Sequence, residues 1–424
     1  MTRILNWLLN NKTVGQTIAK NTFWLFAGQA GSRVLRAAIV IYAARVLGAA
    51  SWGAFSYAIG IAAFLTIFSD IGINALITKE ASRNPELKNR YLSTAFFLKL
   101  ALLLIFVIGV VISARYLSNI QEAVSLIPII IFVFAFDTLR DLGSALSRAM
   151  EKMEIEAGIN IFTNFAIVVL GFAFLAVSPT SQSLALAYAI GSGIGLISIF
   201  FALRKHFSGL FRNFTKSLIK PILTMAWPFG LMGLMGVVML NTDIIMLGWM
   251  SAPERVGFYA AAQKPIQLLY VLPSLLASSI FPVMSRLSKS DPAGLKKILS
   301  KYLKLVLWAA IPVAIIGFVF AKPIIEILFG SAYLPAVAAF RILILTILIV
   351  YPSTLIGNAI FAYDHHKAFV KFALTAIAGN VLFNAMLIPP LGIEGAAIST
   401  LFTQLITNAL IWRKLRKIQF STTP

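Results

Sequence analysis

Asn21-Thr-Phe-Trp-Leu-Phe-Ala-Gly-Gln-Ala-Gly-Ser-Arg-Val-Leu-Arg-Ala-Ala-Ile-Val-Ile-Tyr-Ala-Ala-Arg-Val46 is long and apolar enough to cross a membrane, yet it carries Arg33 and Arg36 near its middle. A charged side chain at that depth costs about 2.5–3.5 kcal/mol on insertion scales, and hydrocarbon offers it no partner. At helical spacing Gln29, Ser32, Arg33 and Arg36 share one face, with Leu25, Phe26, Val34, Leu35 and Ile39 left for lipid or packed neighbours. The polar stripe is therefore expected to line a polar cavity. The plainer alternative pairs the arginines with carboxylates on adjacent helices.

The rest of the chain has the same character. Its 424 residues are 59% hydrophobic, and the mean hydropathy of +0.88 excludes a soluble globular protein. Cysteine is absent and only three histidines occur, so neither disulfides nor a metal site is expected. Apolar runs of about 20 residues, the length a bilayer demands, occur twelve times. They cover 20–46, 53–78, 91–115, 123–147, 157–178, 183–203, 218–249, 256–285, 303–321, 335–362, 367–389 and 394–412. The expected fold is an all-α integral membrane protein. Extended loops are expected only at 79–90, 204–217 and 286–302, with a shorter one at 322–334. Residues 1 to 12, with Arg3, Trp7 and Lys12, read as a short interfacial helix.

Basic residues set the orientation. Twenty-six Lys and Arg fall on one side together with both ends, against Arg45, Arg115, Arg255 and Lys322 on the other. Both termini are then cytoplasmic. This asymmetry absorbs most of the net charge of +21, so no nucleic-acid partner is invoked. Six bases remain inside spans, namely Arg33, Arg36, Lys99, Arg140, Lys264 and Arg341, against four acids, Asp70, Asp137, Asp141 and Asp243. Lys99 and Arg341 are near enough to a membrane face to snorkel. Asp137 and Arg140, three apart, can pair on one helix. Asn160 with Asn164, and Asn380 with Asn384, read as hydrogen-bonding residues between helices, and Asp364, His365, His366 and Lys367 as a solvated turn.

The chain repeats itself. Leu47-Gly48 followed by Gly53-Ala-Phe-Ser-Tyr-Ala58 returns as Leu247-Gly248 followed by Gly257-Phe-Tyr-Ala260. Six spans per half keep both copies in one orientation, which favours a substrate site between two lobes. The lobes are expected at 1–205 and 221–424, joined by an amphipathic cytoplasmic linker at 206–220. Pro228, Pro265, Pro273, Pro282, Pro312 and Pro352 interrupt spans of the second half, as bends or hinges. In the eighth span Gln263, Gln267, Tyr270 and Ser274 share a face beside Lys264.

Two further stretches carry a resemblance. Tyr42-Ala-Ala-Arg-Val-Leu-Gly-Ala-Ala-Ser-Trp-Gly-Ala-Phe-Ser-Tyr57 resembles the first helix–loop–second helix signature of bacterial polysaccharide-biosynthesis flippases. Asn380-Val-Leu-Phe-Asn384 with Leu387-Ile-Pro-Pro-Leu-Gly-Ile-Glu-Gly-Ala-Ala-Ile-Ser-Thr400 is similar to their eleventh-to-twelfth helix junction. These are the O-antigen and related lipid-linked oligosaccharide exporters of the multidrug/oligosaccharidyl-lipid/polysaccharide exporter superfamily. The resemblance implies two six-helix lobes related by a parallel pseudo-two-fold, in the V shape of the multidrug exporters, around a cationic cavity that works by alternating access.

It further implies a polyprenyl-diphosphate-linked oligosaccharide as substrate, moved to the outer leaflet of a bacterial inner membrane for O-antigen, capsule or exopolysaccharide synthesis. Membrane lipids and a polysaccharide polymerase are the partners that follow. Guanidinium suits a diphosphate, being permanently charged and able to donate paired hydrogen bonds. Arg33 and Arg36 are thus the expected diphosphate ligands, with Lys99, Arg140 and Lys264 adding field and Gln29, Gln263 and Gln267 completing the binding set. Asp70, Asp137 and Asp243 are the candidates for proton or cation coupling. No Gly-x-x-x-x-Gly-Lys-Ser/Thr loop is present, so neither nucleotide hydrolysis nor a cofactor is expected. Two rivals remain. One is an organic-cation antiporter of the same superfamily, disfavoured by six embedded bases against four acids. The other is a membrane glycosyltransferase or glycan polymerase, disfavoured by short extracytoplasmic loops.

Overall fold

The computed structural model describes residues 14–84, 86–363 and 367–421. The expected interfacial helix at 1–12 and most of the turn at 364–367 lie outside the described residues. Those described form helices α1 (Val14–Asp70), α2 (Ile73–Arg83), α3 (Lys88–Leu117), α4 (Gln121–Ala149), α5 (Met153–Val177), α6 (Ser181–Ala202), α7 (Ile219–Met250), α8 (Pro253–Leu269), α9 (Val271–Ser290), α10 (Pro292–Val319), α11 (Ala321–Phe329), α12 (Ala336–Ile344), α13 (Ile347–Ala362) and α14 (Lys367–Ser421). Two four-residue helical turns, Arg204–Phe207 and Leu210–Asn213, link α6 to α7.

Among the described residues nine helices are long and apolar enough to cross a membrane. Two of them, α1 and α14, lose helical geometry at Gly48 (φ 73°) and Gly392 (φ 60°), so each holds two of the expected spans. Only glycine takes such a φ without a Cβ penalty. The eighth expected span, 256–285, is not among the nine. It is divided into α8 and α9.

That division has an identifiable cause. Pro273 has no amide hydrogen, so it cannot bond the carbonyl four residues back, at Leu269. The Tyr351 hydroxyl donates to that carbonyl instead, at 3.0 Å. Tyr270, at the break, hydrogen-bonds through its hydroxyl to Thr346, which lies in the gap between α12 and α13. The two interruptions are thus tied to each other. Ser274 falls beyond the break, on α9. The other prolines of the second half lie within helices that continue past them: Pro228, Pro265, Pro282, Pro312 and Pro352. Replacing Tyr351 by Phe strands the Leu269 carbonyl and is expected to destabilise the fold by about 1–3 kcal/mol, the usual cost of an unsatisfied buried acceptor. A thermal unfolding comparison checks it.

Three expected loops are mostly helical. Residues 79–83 continue α2, residues 292–302 are the first turns of α10, and 321–329 form α11. In α10 the start signal is local: the Asp291 carboxylate caps the Gly294 amide at 2.8 Å, and Pro292 occupies the first turn. The lysine-rich turns that follow read as a loop only because they are polar on most sides. The second expected span, 53–78, is broken at Ile71 (φ 39°) and Gly72 (φ 84°). A Cβ on Gly72 would run into the Ala226 carbonyl and the Gly230 amide, so the break is also a close backbone crossing with α7.

By backbone contacts the chain forms two compact units, residues 1–47 with 57–237, and 48–56 with 238–424. In the first, α4 packs on α3 and α6, and α6 on α5. Ile73, Leu76, Ile77, Leu92, Leu142, Leu146, Ile199 and Ile222 are buried together there. In the second, α9 and α10 pack on α13, and α12 and α13 on α14. The two glycines of the sequence repeat meet in this unit: a Cβ on Gly53 would collide with the Pro253 carbonyl, and one on Gly257 with the Ala49 carbonyl.

Candidate functional site

Each unit sets polar side chains among its apolar helices. In the first unit a polar centre is built on the crossing of α1 with α5. A Cβ at Gly28 would press on the Cα of Ala157 at 2.7 Å, and one at Gly171 would meet the Ile39 side chain. These two bare positions bring the helices into close approach on either side of Arg36. Its Nε donates to Asn164 Oδ1 at 3.0 Å, and its guanidinium lies 5.6 Å from the centroid of the Tyr188 ring. Asn164 Nδ2 donates to the Asn160 carbonyl at 2.8 Å, which fixes the amide so that its oxygen faces Arg36.

This arrangement uses the Nε–H of Arg36 and leaves its two terminal amino groups as a fork. Arg33, one turn earlier, is exposed, as are Arg36 and Gln29. No ion pair joins Arg33 or Arg36 to a carboxylate among the described residues. The carboxylate-paired packing considered for these arginines is therefore not seen among the described residues.

Other bases of the first unit are differently employed. Lys99 is fully buried and donates to Asp70 Oδ1 and Asn74 Oδ1, both at 2.8 Å, and to the Thr138 carbonyl at 2.9 Å. All three protons of its ammonium are engaged, so it does not snorkel. Arg140 is held by Asp137 at 2.7 Å and Asp141 at 3.3 Å. Asp70 and Asp137 are therefore the counter-ions of Lys99 and Arg140. Arg341, in the second unit, bonds the Phe318 carbonyl at 3.3 Å from an exposed position.

In the second unit the centre is acidic. Asp243 on α7 is 3% exposed and accepts four hydrogen bonds from neutral groups. Asn380 and Asn384 donate to Oδ1 at 3.0 and 2.8 Å, and Tyr259 and Thr400 donate to Oδ2, each at 2.5 Å. No ion pair involving Asp243 occurs among the described residues. Gln263 and Gln267 line a small cavity with Asp243, Tyr270, Thr400 and Gln404. The two asparagine pairs, each spaced by four, thus serve opposite charges: Asn164 offers its oxygen to a cation, whereas Asn380 and Asn384 offer their nitrogens to an anion. Tyr188, Tyr259, Thr400 and Asn74 were not legible as members of these centres, since each belongs by tertiary placement.

Nine helices long and apolar enough to cross a membrane among the described residues, two of them broken into pairs, define a multi-pass α-helical membrane protein. Residues 18–288, more than half the chain, match the family described as polysaccharide biosynthesis protein, and the chain belongs to that family. It is 22% identical over 396 residues, 93% of this chain and 82% of the relative, to the protein described as "Probable low-salt glycan biosynthesis flippase Agl15" of Haloferax volcanii. Among solved structures it is similar to one described as lipid II flippase MurJ in an inward closed conformation, with TM-score 0.77 and 17% identity over 93% of this chain and 89% of that one. It is also similar to an inward-facing multidrug resistance MATE family transporter, with TM-score 0.67 and 14% identity over 95% of this chain and 96% of that one. These structural likenesses establish a shared fold.

Proposed function

We propose that this chain is a flippase that carries a polyprenyl-diphosphate-linked oligosaccharide across the plasma membrane by alternating access, with Arg33 and Arg36 receiving the diphosphate. The observation that carries this reading is the pair of exposed guanidiniums inside a membrane span, neither of which forms an ion pair with a carboxylate among the described residues. Family membership and the flippase relative support it. Asn164 and Tyr188 hold Arg36 by its Nε–H and its face, which leaves the paired donors that suit phosphate oxygens. Gln29, on the same helix, extends the arginine site of the first unit; in the second unit Lys264, Gln263 and Gln267 are proposed as substrate contacts and Asp243 as the coupling carboxylate. The bias of basic residues puts both termini in the cytoplasm. The glycan is a surface polysaccharide precursor, and a polymerase acts on it after release.

A cytoplasm-negative potential favours outward movement of an anion by about 2.3 kcal/mol per charge per 100 mV, so potential assists the loaded half-cycle. The test is reconstitution in liposomes with a lipid-linked oligosaccharide whose sugar is accessible to an external lectin. Protein-dependent appearance of the sugar outside, without matching phospholipid scrambling, is the expected result. A rate equal to that of empty liposomes contradicts the reading. In the same assay Asn164→Leu is expected to lower transport about tenfold, as losing one charge-assisted hydrogen bond of about 1.5–3 kcal/mol implies, and Asn164→Gln to recover part of it.

A further inference from the structure

We infer that α14 carries a file of bound water that leads from Asp243 along Thr403 and Thr407 toward the basic end of that helix. Thr400, Thr403 and Thr407 recur at i, i+3 and i+7, so their side chains fall on one face. The first of them bonds Asp243. Thr403 and Thr407 are each 6% exposed, and neither hydroxyl has a hydrogen-bond partner. This is unlike Thr163, Thr224, Thr354 and Thr375, each of which donates to the carbonyl four residues back.

Two more buried acceptors beside Asp243 are also without partners. Asn384 Oδ1 belongs to a fully buried side chain, and Gln263 Oε1 to one 8% exposed. Buried polar atoms are almost always satisfied, by protein or by ordered water. Trp52 Nε1 and Ser56 Oγ are also unpartnered in this unit, but the four grouped here, two flanking the carboxylate and two along the helix face that leads from it, point to water as the missing partner.

Room for it exists at the Asp243 end of the group. The cavity lined by Asp243, Gln263, Gln267, Thr400 and Gln404 measures about 40 Å³, which suits a single water with its two to four polar neighbours. Further along, Gly379 presents no side chain to Thr403; a Cβ there would sit 3.9 Å from the hydroxyl. From Thr400 to Thr407 the face extends about 10 Å, at about 1.5 Å per residue. Ile411, 8% exposed, then occupies the same face, and Lys414 follows on it beyond. A proton entering this file moves by exchange between waters and ends on an Asp243 oxygen, converting the carboxylate to a neutral carboxyl. Release reverses the steps. The inference rests on the reading of Asp243 as the coupling carboxylate only for its purpose; the presence of water stands or falls separately.

The sequence contains no cysteine, so single-cysteine variants can be read directly. Thr403→Cys and Thr407→Cys are compared with Ala339→Cys and Ala359→Cys, which sit at fully buried apolar positions. Each is reacted with the small hydrophilic reagent aminoethyl methanethiosulfonate, which needs a hydrated thiolate. Modification at 403 and 407 at least about tenfold faster than at both controls is expected, because a thiolate forms only where water reaches it. Rates equal to the controls overturn the inference. The second arm is the unfolding temperature of Thr403→Val and Thr407→Val. A hydrated file predicts an unchanged or lower temperature. A rise of several degrees overturns it, since it shows that dry, unpartnered hydroxyls have been removed. Should Asp243→Asn leave transport unaltered while the cysteines remain reactive, the coupling reading fails and the water file is upheld.

Discussion

Replacement of Arg33 and Arg36 together by Gln lowers transport of the lipid-linked oligosaccharide by about 100-fold or more, with the protein still folded. The magnitude follows from losing two charge-assisted contacts of about 1.5–3 kcal/mol each, where about 1.4 kcal/mol is a factor of ten. Folding survives because both side chains are exposed and unpaired with any carboxylate among the described residues. Removing their charge breaks no ion pair among the described residues. Arg33→Lys with Arg36→Lys keeps the charge but loses the planar fork and the Nε–H that Asn164 accepts. That double variant is expected to retain field and lose affinity, falling between wild type and the glutamine variant. Size-exclusion profiles with initial transport rates in liposomes check both.

Lys99→Met is the opposite case. Its ammonium is fully buried, and its three donors go to Asp70, Asn74 and the Thr138 carbonyl. Removing it leaves the Asp70 carboxylate, 31% exposed, without its cation; breaking a fully buried pair costs about 3–5 kcal/mol, and the partial exposure of Asp70 brings this case to the low end of that range. Adding Asp70→Asn removes the stranded charge and is expected to restore most of that loss. Lys99→Met therefore reduces the yield of folded protein. The Asp70→Asn, Lys99→Met combination returns folding and, with it, most of the transport. A direct diphosphate ligand at Lys99 would instead leave the combination folded and inactive. Thermal unfolding and transport on the three variants separate these outcomes.

The contrast between those residues marks what the sequence could disclose. Arg33 and Arg36 were legible because everything needed lies within one helix: a span length, a central position and a shared face. Lys99 was not. Its engagement depends on Asp70 and Asn74, 29 and 25 residues away in the chain, and on a carbonyl of α4, and no local pattern announces those neighbours. Asp243 was visible as an embedded acid, but its four neutral donors come from α8 and from both sides of the Gly392 break in α14. The asparagine pairs were recognised as hydrogen-bonding residues from spacing alone. Their opposite service, oxygen to Arg36 and nitrogen to Asp243, follows from which charged residue the fold sets beside them.

Helix boundaries tell a similar story. Hydropathy located the spans, yet it could not place the break between α8 and α9. The missing amide of Pro273 becomes a stable interruption only because Tyr351, 82 residues from Leu269, bonds the freed carbonyl. The start of α10 was present in the sequence as Asp291-Pro292, a capping signal outweighed by the polarity of the lysines after it.

Equilibrium binding of a polyprenyl diphosphate to the purified protein in lipid nanodiscs tests the central claim most directly. Saturable binding that inorganic pyrophosphate displaces, and that Arg33→Gln with Arg36→Gln weakens by at least about 100-fold as two lost charge-assisted contacts require, is the predicted result. Equal affinity for wild type and the double variant would contradict the account, because the diphosphate would then be held elsewhere.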